Sequence, residues 1–400
     1  MSLSTGVRRT FFAFWGNGFY RKEPKVEIAT LAKIIGRESC YNVTQRSFRA
    51  LMTQATWSIT DETRKLMALW PDIVRDLTET DDTLDIPEAI KWLEKVLQYN
   101  VPKGRQMRAL TLVNTYQMLV PPNQLTEENL RLARILGWCL EMNEAHLLVL
   151  DDIYDKSLMR RKEPCWYLHN DIGLTAVNDA LMIQNAMYHL LDTHFKEKDY
   201  YVKLMDVFQE INRKETLGQC LDLLSTNSGK KLDLDLFTMD RYNAIVKYKT
   251  AYFMYILPFS LAMHLAGTRN LEKYKEAILF DMGRLYQIQD DFLDSYGDLE
   301  ARGKISNDIE EGKCTWLIVV ALQRATAKQR QILEECYGSK DPEKVKLVKC
   351  LYDDIGLPNI YSTYEKETYN QLTTRIQQIS HDILQDLFLD LLNRMYRRVF

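Results

Sequence analysis

From about Thr60 onward, apolar side chains recur at helical spacing. Leu132, Ile135, Leu136, Cys139 and Leu140 fall at i, i+3, i+4, i+7 and i+8, the stripe of a helix with one face in a core. Pro121 and Pro122 break the chain ahead of it, and Thr126 with Glu128 suits a helix start. Similar stripes recur around 84–98, 172–196, 200–224, 240–266, 272–295, 314–336 and 370–398. No stretch alternates convincingly as a strand would, and no internal repeat, low-complexity tract or linker divides the chain after residue 60. The pattern predicts one all-α domain over residues 60–400, preceded by an extension over residues 1–59.

Residues 250–268 carry no formal charge, and 19 residues are roughly enough to cross a bilayer. Pro258, Ser260 and His264 interrupt the run, and Lys247, Lys249 and Arg269 flank it, so a buried core helix is expected and no transmembrane span. The chain also lacks the apolar segment of a signal peptide.

Composition narrows the picture further. Hydrophobic residues make up 46% of 400, enough for a sizeable core, and 27% charged residues with a net charge of −3 exclude a disordered tail, a collagen or a strongly basic nucleic-acid binder. No nucleic-acid partner is expected. Seven Cys without a C-x-x-C pair read as reduced thiols of an intracellular protein. Residues 1–22 hold Arg8, Arg9, Arg21 and Lys22 and no acid. That composition fits a mitochondrial import signal or a loosely packed extension, and leaves cytoplasm and mitochondrion both open.

Two aspartate clusters carry the chemistry. Asp151, Asp152 and Asp155 follow the apolar run Leu147, Leu148, Val149, Leu150; Asp290, Asp291 and Asp294 follow Leu285, Tyr286 and Ile288. On a helix, i and i+4 share a face, so Asp151 projects with Asp155 and Asp290 with Asp294. Like charges at that spacing repel, and an apolar-flanked helix end needs a counter-charge for them. Hard oxygen ligands suit Mg²⁺, which takes one or two carboxylates together with water and phosphate oxygens. Two such clusters about 140 residues apart predict a two-walled Mg²⁺–diphosphate site. Cations for a diphosphate are at hand in Arg160, Arg161, Lys249 beside Thr250, Lys304 and Lys313.

The chain from about Asp61 to Phe400 resembles the trans-isoprenyl diphosphate synthases, most closely the eukaryotic farnesyl diphosphate synthases. The resemblance rests on DDIYDKSLMRRKEPCWY (151–167), GQCLDLL (218–224), IVKYKTAYFMYILPFSLAMHLAG (245–267), QIQDDFLDSYGD (287–298) and GKISNDIEEGKCTW (303–316). It implies the isoprenoid-synthase helical bundle around a deep central pocket, a homodimer, and an allylic isoprenyl diphosphate as substrate. It also implies Mg²⁺, three ions with substrate bound, held chiefly by Asp151, Asp155 and Asp290 within the two clusters. Arg160, Lys249, Thr250, Gln289, Lys304 and Lys313 would contact the allylic diphosphate.

The same resemblance marks departures. The family holds its second substrate, isopentenyl diphosphate, with a Gly-Gly-Lys-x-x-Arg-Gly stretch, a Gln and the second Arg of Arg-Arg-Gly. Here the stretch reads Lys103, Gly104, Arg105, Gln106, Met107, Arg108, Ala109, the Gln position is Glu144, and Arg161 is followed by Lys162. A carboxylate about 4 Å from a diphosphate costs on the order of 4 kcal/mol at an effective dielectric of about 20, roughly a thousandfold in affinity. Alternatively, Glu144 pairs with Arg105 or Arg108 and neutralises the pocket, which also removes it as a diphosphate receptor, so the second site reads as damaged either way. Of the two aromatics that usually floor the pocket, this chain has His146 and Leu147, and aromatics at 252–255 would line its walls. His146 reads equally as a hydrogen-bonded core residue. An intact allylic site beside an altered second site gives the expectation of a terpene synthase, a Mg²⁺-dependent lyase turning (2E,6E)-farnesyl diphosphate into a sesquiterpene or its alcohol, like those some insects derived from farnesyl diphosphate synthase. A farnesyl or geranyl diphosphate synthase, with Arg105, Arg108 and Arg161 still holding isopentenyl diphosphate, is the alternative.

Overall fold

The computed structural model describes residues 59–79, 85–226, 232–268, 272–298, 305 and 307–396, all within the compact unit Trp57–Phe400. The extension expected over residues 1–59 thus lies, apart from Ile59, outside the described residues.

The architecture is all-α. Helices run α1 (Ile59–Thr78), α2 (Pro87–Asn100), α3 (Met107–Leu119), α4 (Glu127–Tyr154), α5 (Ala176–Phe195), α6 (Tyr201–Thr226) and α7 (Met239–Ile245). A π-helical segment (Val246–Ile256) leads into α8 (Leu257–Leu265), then α9 (Glu272–Tyr296), α10 (Asp308–Glu311), α11 (Trp316–Arg324), α12 (Ala327–Cys336), α13 (Pro342–Ile355), α14 (Leu357–Gln377) and α15 (Asp382–Met395).

Helix α4 starts where its cap does. Thr126 accepts the Asn129 amide at 3.2 Å, and Glu127 and Glu128 complement the helix dipole in the first turn. The stripe predicted for one face understates its burial, because residues 133–143 are buried on every side. Helices α1, α2, α3, α5 and α8 surround α4, so it is the axis of the bundle. The uncharged run 250–268 is likewise interior, with residues 251–263 all buried. Among the described residues no helix is long and apolar enough to cross a membrane.

Two long patterns break where the chain caps itself. The stripe at 314–336 divides at Thr326, whose hydroxyl and backbone form a reciprocal box with Gln329. The stripe at 370–398 divides after Gln378, and α13 and the first half of α14 lie in a region where no stripe is read. Pro342 and Pro358 stand in the first turns of these helices, where a missing N–H is harmless.

One antiparallel ribbon interrupts the helices, β1 (Met159–Arg160) with β2 (Glu163–Pro164). Its two-residue turn places Arg161 at φ 55° and Lys162 at φ 67°. A primed hairpin turn demands positive φ at both positions and favours glycine. A side chain there costs roughly 1–2 kcal/mol, part of which glycine returns as chain entropy. Lys162→Gly is therefore expected to stabilise the protein by about 1 kcal/mol, read as a higher urea midpoint at unchanged slope.

Candidate active site

The two aspartate clusters face one cavity of about 390 Å³, within the range of ligand pockets. Leu147, Leu148, Asp151 and Asp155 come from α4 and its C-cap, Glu215 and Asp222 from α6, and Lys249, Thr250, Phe253 and Met254 from the π segment. Gln287 and Asp290 come from α9, Arg160 and Arg161 from the ribbon, and Lys313 from the stretch before α11.

The first cluster divides its labour. Asp152 is buried and accepts Arg160 twice, from Nε at 3.0 Å and Nη2 at 2.6 Å, while Arg160 Nη2 stands 3.6 Å from Asp151. Asp152 thus orients Arg160, and Asp151 and Asp155 are the acids on the cavity. Lys249 Nζ lies 3.1 Å from Asp151 and 2.8 Å from Asp222; Lys313 Nζ lies 2.5 Å from Asp155 and 3.2 Å from Asp222. Burial opposes ionisation at Asp151, yet Lys249, Lys313 and Arg160 hold its carboxyl well below the usual range. Asp155 is pushed up to about 6 by burial and by the charge of Asp151, Lys313 and Lys249 working against them. Asp222 bridges both lysines, and Lys249 and Lys313 stay protonated despite burial because these carboxylates surround them.

The second cluster also divides. Asp290 and Asp291 both line the cavity. Asp291 is buried and accepts the Tyr242 hydroxyl at 2.8 Å, the Gln287 amide at 2.9 Å and the Trp316 N–H at 2.8 Å, and burial raises its carboxyl to about 7. Asp294 is buried and accepts the Asp308 N–H at 3.2 Å, holding the start of α10. Among the described residues no three acids converge into a cage for a metal. Asp151, Asp155 and Asp290 nevertheless fit Mg²⁺, because that ion uses few carboxylates and fills its octahedron with water and phosphate oxygens. The ammonium groups resting on Asp151 and Asp155 show that these oxygens are aimed at a cation.

The π segment places Lys249 and Thr250. Its wide turn, a rare feature found often at functional sites, is held between two glycines. A Cβ on Gly218 of α6 would overlap the Lys249 nitrogen and lie 2.7 Å from the Tyr248 carbonyl carbon. One on Gly283 of α9 would lie 2.6 Å from Ala251 Cα.

Several expected site residues stand elsewhere. Gln289 turns from the cavity and donates to Glu365 at 2.9 Å and to the Met395 carbonyl at 3.1 Å. Gln287 faces the site in its place and accepts the Thr250 hydroxyl at 2.7 Å. Register explains this: Asp290 and Gln287 are i and i−3, while Gln289 is rotated about 100° from Asp290. His146 is likewise absent from the cavity wall. It is buried against α5, its Nε2 3.3 Å from the Gln184 amide, and burial lowers it to about 4. Leu147 is on the wall. In the stretch 252–255, Phe253 and Met254 line the cavity, while Tyr252 packs edge-on to Phe280 and Tyr255 to Tyr286. Lys304 lies outside the described residues. Asp222 and Glu215 were not read as site residues; acids spaced by seven on an apolar-flanked helix are the signal that would have found them.

Around Glu144 the second pairing alternative holds. Its Oε1 is 2.6 Å from Arg108 Nη1 and its Oε2 3.8 Å from Arg161 Nη2. Burial opposes its charge, but these guanidiniums hold Glu144 below the usual carboxylate range. Beneath it, Glu141 accepts the Ala109 N–H at 3.0 Å and is pushed up to about 8 by burial and the Glu144 charge. Arg108 also lies over the Phe253 ring, at 4.9 Å from its centroid. Arg161 donates to the Asn100 carbonyl at 3.0 Å and rests on Gly104, where a Cβ would come 2.7 Å from its Nη2. Arg105 is exposed in the loop ahead of α3, and Lys103 turns away over the Tyr99 ring at 3.8 Å.

Residues 90–355 match the family model for polyprenyl synthetase. The chain belongs to the polyprenyl synthetase family. It is an enzyme of the prenyltransferase class. Curated relatives include the farnesyl pyrophosphate synthases of Nezara viridula, 48% identical over 84% of this chain and 83% of that protein, and of Rattus norvegicus, 44% identical over 84% and 96%. Among solved structures, the T. brucei farnesyl diphosphate synthase complexed with risedronate superposes with a TM-score of 0.79 at 29% identity, covering 84% of this chain and 99% of that one. These matches bear out the resemblance and the isoprenoid-synthase fold, and they overturn the terpene-lyase expectation. The relatives this similar over nearly the whole catalytic domain bear the name farnesyl pyrophosphate synthase. The inference from Glu144 failed because it took a pocket in which Glu144 is paired with arginine as closed to diphosphate.

Proposed function

We propose that this chain is a farnesyl or geranyl diphosphate synthase, condensing isopentenyl diphosphate with an allylic diphosphate. The similarity to farnesyl pyrophosphate synthases carries the reading. The geometry supports it through two separate cationic regions on one cavity, Arg160, Lys249 and Lys313 at one and Arg108 and Arg161 at the other.

In this reading the allylic diphosphate lies against Arg160, Lys249, Thr250, Gln287 and Lys313, with Asp151, Asp155 and Asp290 as the metal-holding oxygens. Bound Mg²⁺ supplies Lewis-acid stabilisation of the departing diphosphate. The lysines and Arg160 take up the charge that develops on the leaving oxygens. Lys249 and Lys313 exchange their carboxylate partners for phosphate as the site fills. The isopentenyl diphosphate lies between Arg108 and Arg161. Glu144 and a phosphate compete there for the same guanidiniums, and because Glu141 is largely neutral at pH 7 an excess of positive charge remains. The carbon chain then extends past Leu147, Phe253 and Met254.

Steady-state kinetics with Mg²⁺, dimethylallyl diphosphate and isopentenyl diphosphate test the reading. The wild type turns over, and Glu144→Gln lowers KM for isopentenyl diphosphate about tenfold, about 1.4 kcal/mol, with KM for the allylic substrate unchanged. The variant is also less stable without ligand, since Arg108 loses its charged partner. A KM change confined to the allylic substrate would assign Glu144 to the wrong pocket.

A further inference from the structure

One buried acid on the cavity wall is left without a task by the scheme above. Glu215, Gln219 and Asp222 fall at i, i+4 and i+7 on the inward face of α6, and all three are buried. Asp222 answers both lysines. Glu215 lies about 10 Å further along the helix, is 6% exposed, and lines the cavity. Among the described residues no hydrogen bond or ion pair reaches its carboxyl. Helix α6 meets the π segment at Gly218 against Lys249, and again where Lys214 Nζ lies 4.0 Å over the Tyr252 ring. Glu215 is therefore level with residues 249–253, on the side of Lys249 away from Asp222. The lysine beside it in sequence is no partner, because Lys214 pairs with Glu210 at 2.6 Å. Burial raises the Glu215 carboxyl to about 7, against the pull of Lys249 and with a push from Asp151. A carboxyl in such surroundings with no donor is costly to keep, and it faces the part of the cavity where a prenyl carbon skeleton would lie.

We propose that Glu215 is a further catalytic residue, whose carboxylate stabilises the positive charge that develops on the allylic carbon as its C–O bond breaks. The inference rests on the prenyl diphosphate reading of the site. In the ionisation step the C–O electron pair leaves with the diphosphate, and the allylic carbon is left cationic. Glu215 forms no bond and gives up no electrons, and its charge acts through space.

The experiment uses the full chain with Mg²⁺ and inorganic diphosphate, and calorimetric titration of two probes. One is a prenyl amine carrying a tertiary ammonium in place of the cationic carbon; the other is its neutral carbon isostere. Wild type is expected to bind the ammonium at least about 30-fold more tightly than Glu215→Gln does, with the isostere bound equally by both. Glu215→Asp, which keeps the charge one methylene further back, falls between. In turnover, Glu215→Gln lowers kcat by about 100-fold with little change in either KM, a size typical of a removed electrostatic group. Equal ammonium affinity in wild type and Glu215→Gln overturns the proposal, as does an equal loss for both probes, which marks a merely structural role. Since probe binding needs no condensation, a protein that discriminates the ammonium but never elongates would refute the synthase reading and leave Glu215 its role. One that elongates without discriminating would do the reverse.

Discussion

Asp151→Asn is expected to lower kcat on the order of a thousandfold, about 4 kcal/mol of transition-state stabilisation. The figure follows from what the carboxylate does in two states. Without ligand it shares Lys249 with Asp222 and stands 3.6 Å from Arg160. In the proposed reading it would be one of the oxygens that hold the metal when substrate is bound, and the charge stabilisation that a metal supplies at a leaving diphosphate is worth several kcal/mol. Stability changes less, because Lys249 keeps Asp222 when Asp151 is neutral. Asp294→Asn provides the contrast. Asp294 holds the Asp308 N–H, so its loss is expected to weaken the start of α10 by about 1 kcal/mol and leave the Mg²⁺ dependence of the rate unchanged. Mg²⁺ titrations of activity in the two variants check the division. A shifted Mg²⁺ midpoint for Asp294→Asn and an unshifted one for Asp151→Asn would reverse it.

Gly218→Ala is expected to lower kcat about a hundredfold, through geometry alone. The new methyl would overlap the Lys249 nitrogen, and the atoms in its way are backbone, which cannot swing aside as a flexible side chain would. The π segment or α6 must move, and overpacking of this kind costs about 1–3 kcal/mol of stability. A displacement near 1 Å of Lys249 and Thr250 is enough for a loss of about a hundredfold in rate. Thermal melting and kinetics on the same preparation separate the two effects. A variant that melts lower yet keeps wild-type kcat would mean that the segment relaxes without carrying Lys249 with it.

The residues show why the sequence was partly legible. Asp151, Asp155 and Asp290 could be read because the spacing that puts acids on one helix face is local, while Arg160, Lys249 and Lys313, from three other segments, were marked by the resemblance; all six line one cavity. Thr126 announced α4 by the same local logic. What could not be read depends on rotation or on distant partners. Gln287 and Gln289 differ only by which side of α9 meets the site, and Asp151 and Asp152 by which neighbour arrives from the ribbon. His146 turned out to serve α5, because Gln184 lies 38 positions away where no local pattern could announce it. The π segment left no periodic trace, since its cause is close approach of Gly218 and Gly283 from other helices. Glu144 was weighed wrongly. Its partners, Arg108 on α3 and Arg161 in the ribbon turn, meet it only in the folded chain.

The central claim is that both diphosphate positions work together. Product analysis after incubating the full-length protein with Mg²⁺, dimethylallyl diphosphate and isopentenyl diphosphate tests it most directly. The account predicts geranyl or farnesyl diphosphate, released as the corresponding alcohol by phosphatase, and no volatile hydrocarbon when farnesyl diphosphate is supplied alone. Hydrocarbon from farnesyl diphosphate alone, with no five-carbon extension in the paired incubation, would contradict it.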